Sequence, residues 1–128
     1  MKGRDTVVLA VERDPSDDNH ARSMDNLRRL ELAPRAQGQP PMRIVTLPFP
    51  RAVMMHGERL PASYANFYIA NGMVLVPTFN DPNDRIALDT LASVLPSHHV
   101  IGINAVDLVW GLGTIHCLTQ QEPQSRNS

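Results

Sequence analysis

Cys117 is the only cysteine of this 128-residue chain and the side chain best suited to nucleophilic chemistry. It follows Gly111, Gly113 and Thr114, so a glycine-containing turn leads up to it. Glycines let a ligand approach the main chain, and oriented N–H groups in such a turn can stabilise developing charge. Such a setting suits a nucleophilic thiol beside a binding turn. The spacing alone favours the other interpretation, a buried structural thiol, which is the role of most single cysteines.

A nucleophilic cysteine needs a base or a nearby positive charge to become a thiolate at neutral pH. His116 is adjacent, but residues 111–121 are predicted to form a turn that enters a last short strand. Successive side chains of a strand point to opposite faces, so His116 is expected to face away from Cys117. No metal site is predicted, because the spacing of potential ligands matches no metal motif. Surface or loop positions are expected for the other histidines: His20, His56, His98 and His99.

The other polar candidates have structural interpretations. Asp14 with Asp17, and Asp81 with Asp84, could be paired carboxylates, but each pair stands in an Asp-Pro-x-Asp sequence before a helical pattern. Helix capping by aspartate explains both copies. Asn66 interrupts an otherwise apolar segment. A buried asparagine must be hydrogen-bonded, so Asn66 either holds a loop or faces a ligand.

The sequence predicts an α/β chain of short elements. Strands are predicted where β-branched and apolar residues run together, and helices where apolar residues recur every three or four positions after Asp-Pro. Asn71-Gly72 predicts a tight hairpin turn. The predicted strands cover 6–11, 42–47, 63–70, 73–76 and 99–103, with a last one within 111–121; helices are predicted from Pro15 to Leu32 and from Asp81 to Pro96, and a turn or short helix at 107–110.

The strand, Asp-Pro-x-Asp and helix occur twice, 67 residues apart. With Asp14-Pro15 aligned on Asp81-Pro82, residues 7–9 fall on residues 74–76, and both runs are apolar. This echo indicates repeated α/β modules, and modules of that kind usually need neighbours to bury their faces.

Composition excludes several other classes of protein. The formal net charge is −1, with 42% hydrophobic and 20% charged residues, so neither wholesale disorder nor general attraction to nucleic acid or anionic membranes is expected. No stretch approaches the roughly 20 apolar residues of a membrane span. The default expectation is a cytoplasmic protein with one domain over residues 1–123 and a disordered tail at 124–128.

Three motifs together resemble the C-terminal part of the agmatine deiminases, in the peptidylarginine deiminase-like, guanidino-modifying superfamily. They are Ser63 to Gly72 (SYANFYIANG), Asp81 to Asp84 (DPND) and Gly111 to Gln121 (GLGTIHCLTQQ). Members of that family are five-bladed propellers of ββαβ modules. The resemblance implies a partial α/β propeller, of the pentein type, made of about two ββαβ-like modules.

The resemblance also implies a reaction, the hydrolysis of agmatine to N-carbamoylputrescine and ammonia in putrescine biosynthesis. Cys117 would attack the guanidinium carbon and form a thiouronium intermediate, with Gly111 and Gly113 as the turn beside the substrate. The family needs neither a metal nor an organic cofactor. An agmatine-like guanidino compound is the expected substrate, and peptidyl-arginine is not excluded.

Two departures from the family pattern bear on activity. Leu112 interrupts a run of three glycines, and a leucine does not easily adopt a positive φ. The family's catalytic histidine and carboxylates lie upstream of the region that matches Thr6, and residues 1–5 contain no histidine. The isolated chain is therefore expected to be inactive, with self-association or a complementing chain as open options. The alternative is a non-catalytic α/β module that binds a small cation or a partner protein, with Cys117 structural.

Overall fold

Two strand–helix–strand units make up most of the chain. The structure is a computed structural model, and it describes residues 5–123. In the first unit, strands β1 (Thr6–Ala10) and β2 (Arg43–Leu47) are parallel, and helix α1 (His20–Glu31) connects them. A parallel pair needs such a crossover, because a tight turn can join only antiparallel strands.

The second unit adds a hairpin to the same plan. The short strands β3 (Met54–Met55) and β4 (Glu58–Arg59) form a small antiparallel pair before it. Strand β5 (Tyr68–Ala70) then pairs antiparallel with β6 (Met73–Thr78), and helix α2 (Asn83–Val94) leads to β7 (His99–Asn104), which is parallel to β6. Gly72 has a φ of +73° in the β5–β6 turn, as the Asn-Gly dipeptide predicts.

One apolar core joins the two units. Leu47 at the end of β2 belongs to the same buried cluster as Val74 and Val76 of β6 and Leu91 of α2. Tyr64 is fully buried in this cluster, and its ring meets the ring of Phe79 edge to face with 5.6 Å between centroids. The predicted α/β class and the two-fold strand–helix–strand echo are therefore confirmed.

The predicted start of the first helix is wrong. Residues 14–19 form turns that aspartate side chains hold, and α1 begins only at His20. The Asp14 carboxylate accepts hydrogen bonds from the amide and hydroxyl of Ser16, and Asp17 accepts the amide of Asn19 at 2.8 Å. These local bonds favour turns over continuation of the helix. Before α2, in contrast, Asp81 accepts the amide of Asn83, the first residue of that helix, at 2.8 Å.

Two predicted strand segments are also wrong. Only Tyr68–Ala70 of the segment 63–70 is a strand, since Ser63 and Asn66 close a turn before it. Residues 111–121 contain no strand and instead include the 3₁₀ helix His116–Leu118. The predicted short helix near 107–110 is confirmed as a 3₁₀ helix, Leu108–Gly111. The tail predicted at 124–128 lies outside the described residues.

Candidate functional site

Cys117 lies exposed in the second 3₁₀ helix, His116–Leu118. The expectation that the thiol is buried is therefore wrong. Thr114 and Ile115, just before the helix, are buried, while His116, Cys117 and Leu118 are exposed. The amide of Leu118 donates a hydrogen bond to the carbonyl of Thr114 at 3.2 Å. The thiol therefore lies on a tight turn that follows a buried segment.

Asn66 holds Cys117 from across the fold. Its side-chain Nδ2 donates to the Cys117 Sγ at 3.1 Å, and its Oδ1 accepts the Cys117 amide at 3.2 Å. The Asn66 backbone carbonyl also accepts the amide of His116 at 3.1 Å. These contacts fix the position of the sulfur relative to Asn66. Asn66 thus holds a loop, which confirms the first of its two interpretations from the sequence; that it faces a ligand stays a prediction.

A surface depression of about 400 Å³ contains the thiol. Its lining consists of Ser63, Ala65, Asn66, His116 and Cys117. His116 and Cys117 therefore line the same depression, and the expectation that they face apart is wrong. That expectation came from strand geometry, whereas neighbouring residues of a 3₁₀ helix differ in direction by about a third of a turn.

Residues 111–113 differ from the sequence expectation in which residue has a left-handed conformation and which glycine lies beside Cys117. Leu112, with a φ of +64°, is the residue of this segment in the left-handed region, and neither flanking glycine has a positive φ in that range. Its side chain is 71% exposed, so it does not fill the depression. A Cβ on Gly113 would come within 2.8 Å of the Cys117 Cβ and 3.2 Å of its Sγ, whereas a Cβ on Gly111 would meet nothing within 4 Å.

Thr114 is the polar residue of this segment that no sequence signal singled out. It is fully buried, and its Oγ1 has no hydrogen-bond partner among the residues that the structure describes.

Among the residues that the structure describes, no carboxylate lines the depression. Asp84 serves the core instead: it accepts the Tyr64 hydroxyl at 2.7 Å and the amides of Phe79 and Asp81 at 3.0 and 3.1 Å. Burial raises the pKa of the Tyr64 hydroxyl well above its usual value, and its hydrogen bond to Asp84 adds to the shift. The structural interpretation of the second aspartate pair therefore holds.

The first aspartate pair is structural as well, but the expectation that it caps α1 is wrong, because that helix begins only at His20, after Asn19. Asp17 contacts Arg59 Nη1 at 2.7 Å, and this hydrogen bond and that from the Asn19 amide hold the pKa of the Asp17 carboxyl below its usual value.

The histidines other than His116 lie away from the thiol. His20 Nδ1 is 2.9 Å from the carbonyl oxygen of Glu12, and His98 contacts the Ser97 hydroxyl. His56 occupies the β3–β4 turn with a φ of +50°.

Within residues 5–123, no group of three or more His, Cys, Asp or Glu side chains is arranged to hold a metal ion. None of the helices in that range is long and apolar enough to cross a membrane.

The structure thus has an exposed thiol on a tight turn of an α/β chain, with a hydrogen bond from an amide 51 residues away in sequence. Residues 1–123 match the family model described as Porphyromonas-type peptidyl-arginine deiminase. The chain belongs to this deiminase family, and the resemblance expected from the three motifs is confirmed.

Named relatives agree with this assignment. A Legionella pneumophila (strain Paris) protein named "Putative agmatine deiminase" is 35% identical over 120 residues, which are 93% of this chain and 34% of the relative. A solved Porphyromonas gingivalis protein titled "Putative Arginine Deiminase" is 41% identical with a TM-score of 0.88, over 94% of this chain and 35% of that one.

A third relative is a solved C. jejuni agmatine deiminase, a Cys-to-Ser variant with substrate bound. It is 26% identical with a TM-score of 0.74, over 88% of this chain and 32% of that one. The chain thus spans about a third of the length of the relatives that it matches.

Proposed function

We propose that this chain carries the nucleophile of an agmatine deiminase-type site. The proposal rests on one observation: the Asn66 side chain forms hydrogen bonds with both the sulfur and the amide of Cys117, in an exposed depression. A structural thiol needs neither exposure nor an amide donor. The family assignment supplies the reaction class, C–N hydrolysis of a guanidino compound.

In the proposed reaction the Cys117 thiolate forms a bond to the guanidinium carbon of agmatine. The bond from that carbon to a terminal nitrogen breaks, and the nitrogen leaves as ammonia after it gains a proton. Water then adds to the thiouronium carbon, the C–S bond breaks, and N-carbamoylputrescine leaves. Asn66 orients the sulfur, and the turn at Gly111 and Gly113 borders the substrate. Putrescine biosynthesis in the cytoplasm is the corresponding setting.

We also propose that the 128-residue chain does not complete this reaction alone. Protonation of the leaving nitrogen needs an acid, and recognition of the cationic guanidinium needs carboxylates. Of these, the depression offers only His116, which is exposed. The two units correspond to about two modules of a five-bladed α/β propeller, and the remaining groups would come from other modules, in a longer polypeptide, a second copy or a complementing chain.

Ammonia release from agmatine by the purified 128-residue chain tests the second proposal, with Cys117→Ala as control. We expect no cysteine-dependent release, from agmatine or from a blocked arginine peptide. Cysteine-dependent release would mean that groups within this chain complete the site, and the preferred compound would identify the substrate class.

Labelling of the thiol tests the first proposal and separates it from a non-catalytic module. At neutral pH, a haloacetamidine should modify Cys117 faster than it modifies cysteine in an unstructured peptide, because the thiol is exposed and Asn66 holds the sulfur in one position. Labelling slower than the peptide control would remove the nucleophile assignment and favour the alternative of a module that binds a cation or a partner protein.

A further inference from the structure

We propose that Gly113 is a positioning residue for the nucleophile, because the space left by its missing side chain lets the Cys117 sulfur reach Asn66. The inference rests on the proposed function, and it assigns to this glycine a role in geometry that is separate from contact with the substrate.

The distances at Gly113 carry the argument. A Cβ built on Gly113 would lie 2.8 Å from the Cys117 Cβ and 3.2 Å from its Sγ. The first distance is shorter than carbon atoms tolerate, and the second is below the optimum for contact. The Cβ of Cys117 is attached directly to the backbone, so rotation of the side chain cannot move it away. Relief requires a shift of the turn itself.

A shift of the turn acts directly on the bonds to Asn66. Both the sulfur and the amide of Cys117 contact this one side chain, at 3.1 and 3.2 Å. Hydrogen bonds weaken steeply with distance and angle, so displacement by several tenths of an ångström lengthens both. Gly113 is also buried, which leaves little room for adjustment on its own side.

Backbone conformation does not explain the glycine. Gly113 is not in the left-handed region of φ, which belongs here to Leu112. An alanine at 113 is therefore disfavoured by contact with Cys117 alone. Gly111, two residues away, also lacks a left-handed φ, but an added Cβ there would meet nothing within 4 Å.

The experiment measures alkylation of Cys117 by iodoacetamide across a range of pH. Compared with the unmodified chain, Gly113→Ala should label roughly fivefold more slowly at neutral pH, the effect of losing one hydrogen bond to the sulfur. Its pH profile should approach that of Asn66→Ala. Ser93→Ala, an exposed substitution in α2, should label at the rate of the unmodified chain.

A double substitution tests the route of the effect. If Gly113 acts through Asn66, adding Gly113→Ala to Asn66→Ala should change the labelling rate less than twofold, since coupled residues are not additive. Full additivity would overturn the proposal, as would a rate unchanged by Gly113→Ala. Ammonia release plays no part in this readout, so the inference can fail while the proposed function stands, and the reverse.

A second comparison keeps the proposal testable if Gly113→Ala folds poorly. The same substitution is made in a chain that carries Cys117→Gly. In Cys117→Gly the clashing Cβ is absent, so Gly113→Ala should lower the melting temperature much less there than in the unmodified chain. An equal loss in both backgrounds would show that the glycine serves something other than Cys117 and would overturn the proposal.

Discussion

Leu112 is in a backbone conformation that costs free energy. Its φ of +64° lies in the left-handed region, and its side chain is 71% exposed, so little packing offsets the strain. The left-handed conformation costs an L-residue about 1–2 kcal/mol, whereas glycine adopts it freely but loses more entropy on folding, about 0.5–1 kcal/mol.

Leu112→Gly should therefore stabilise the chain by about 0.5–1 kcal/mol, measured by urea unfolding. Leu118→Gly is the control, because Leu118 is similarly exposed at 66% and has no positive φ. That change should destabilise the chain. If both substitutions change the free energy of unfolding in the same direction, the assigned strain at Leu112 is refuted.

The Asp84 carboxylate ties together the elements around α2. It accepts three donors, from Tyr64, Phe79 and Asp81. Asp84→Asn should lower the free energy of unfolding by about 2–3 kcal/mol, because an amide oxygen replaces a charged acceptor and the new NH₂ group faces a donor. Chemical denaturation measures the change.

Asp89→Asn on the same helix is the matched control. Asp89 pairs with Arg85 at 3.1 Å, and the two side chains are 67% and 83% exposed. Surface pairs contribute little, so this change should stay within about 0.5 kcal/mol. A loss at Asp89 equal to that at Asp84 would contradict the assigned role of Asp84.

The sequence predicted those elements whose signals are local. Asn71-Gly72 identified the β5–β6 turn, and the repeated Asp-Pro-x-Asp pattern identified both strand–helix–strand units. The prediction from sequence failed where contacts between residues distant in the sequence determine the local structure. Residues 114–118 look strand-like alone, yet Asn66, which lies far back in the sequence, accepts the amides of His116 and Cys117 and stabilises a 3₁₀ turn instead.

The site was predictable in its residue types but not in its geometry. Cys117 and the adjacent glycines stand out in the sequence, and Asn66 does so as a polar residue in an apolar segment. Which glycine touches the thiol could not be predicted, because the answer depends on the path of the backbone. The sequence indicated the strain at Leu112 only because a leucine interrupts the run of three glycines that the family has at this place.

At the scale of the whole molecule, the Asp17–Arg59 pair joins the segment before α1 to strand β4, 42 residues away in sequence. The side chains are 21% and 26% exposed, and the bond holds the pKa of the Asp17 carboxyl below its usual value. A carboxyl with a lowered pKa in the folded state contributes stability above its unfolded pKa, about 3.9, and loses it as the pH falls below that value.

Asp17→Asn should therefore lower the free energy of unfolding by about 1–2 kcal/mol at pH 7, and the difference from the unmodified chain should shrink as the pH falls below about 4. Unfolding curves at pH 7, 4 and 3 measure it. Asp25→Asn, on the exposed side of α1, should have little effect at any of these pH values. A difference for Asp17→Asn that persists unchanged in acid would contradict the assignment.

The hold of Asn66 on Cys117 has a consequence for the order of folding. The two residues are 51 positions apart, and the chain between them contains all of β5, β6, α2 and β7. A contact that closes so long a loop forms only after the intervening segment has become compact. During refolding the thiol should first react as in an unfolded peptide and acquire its amide partner late. The reactivity of Cys117 thus reports when the second unit has completed its native structure.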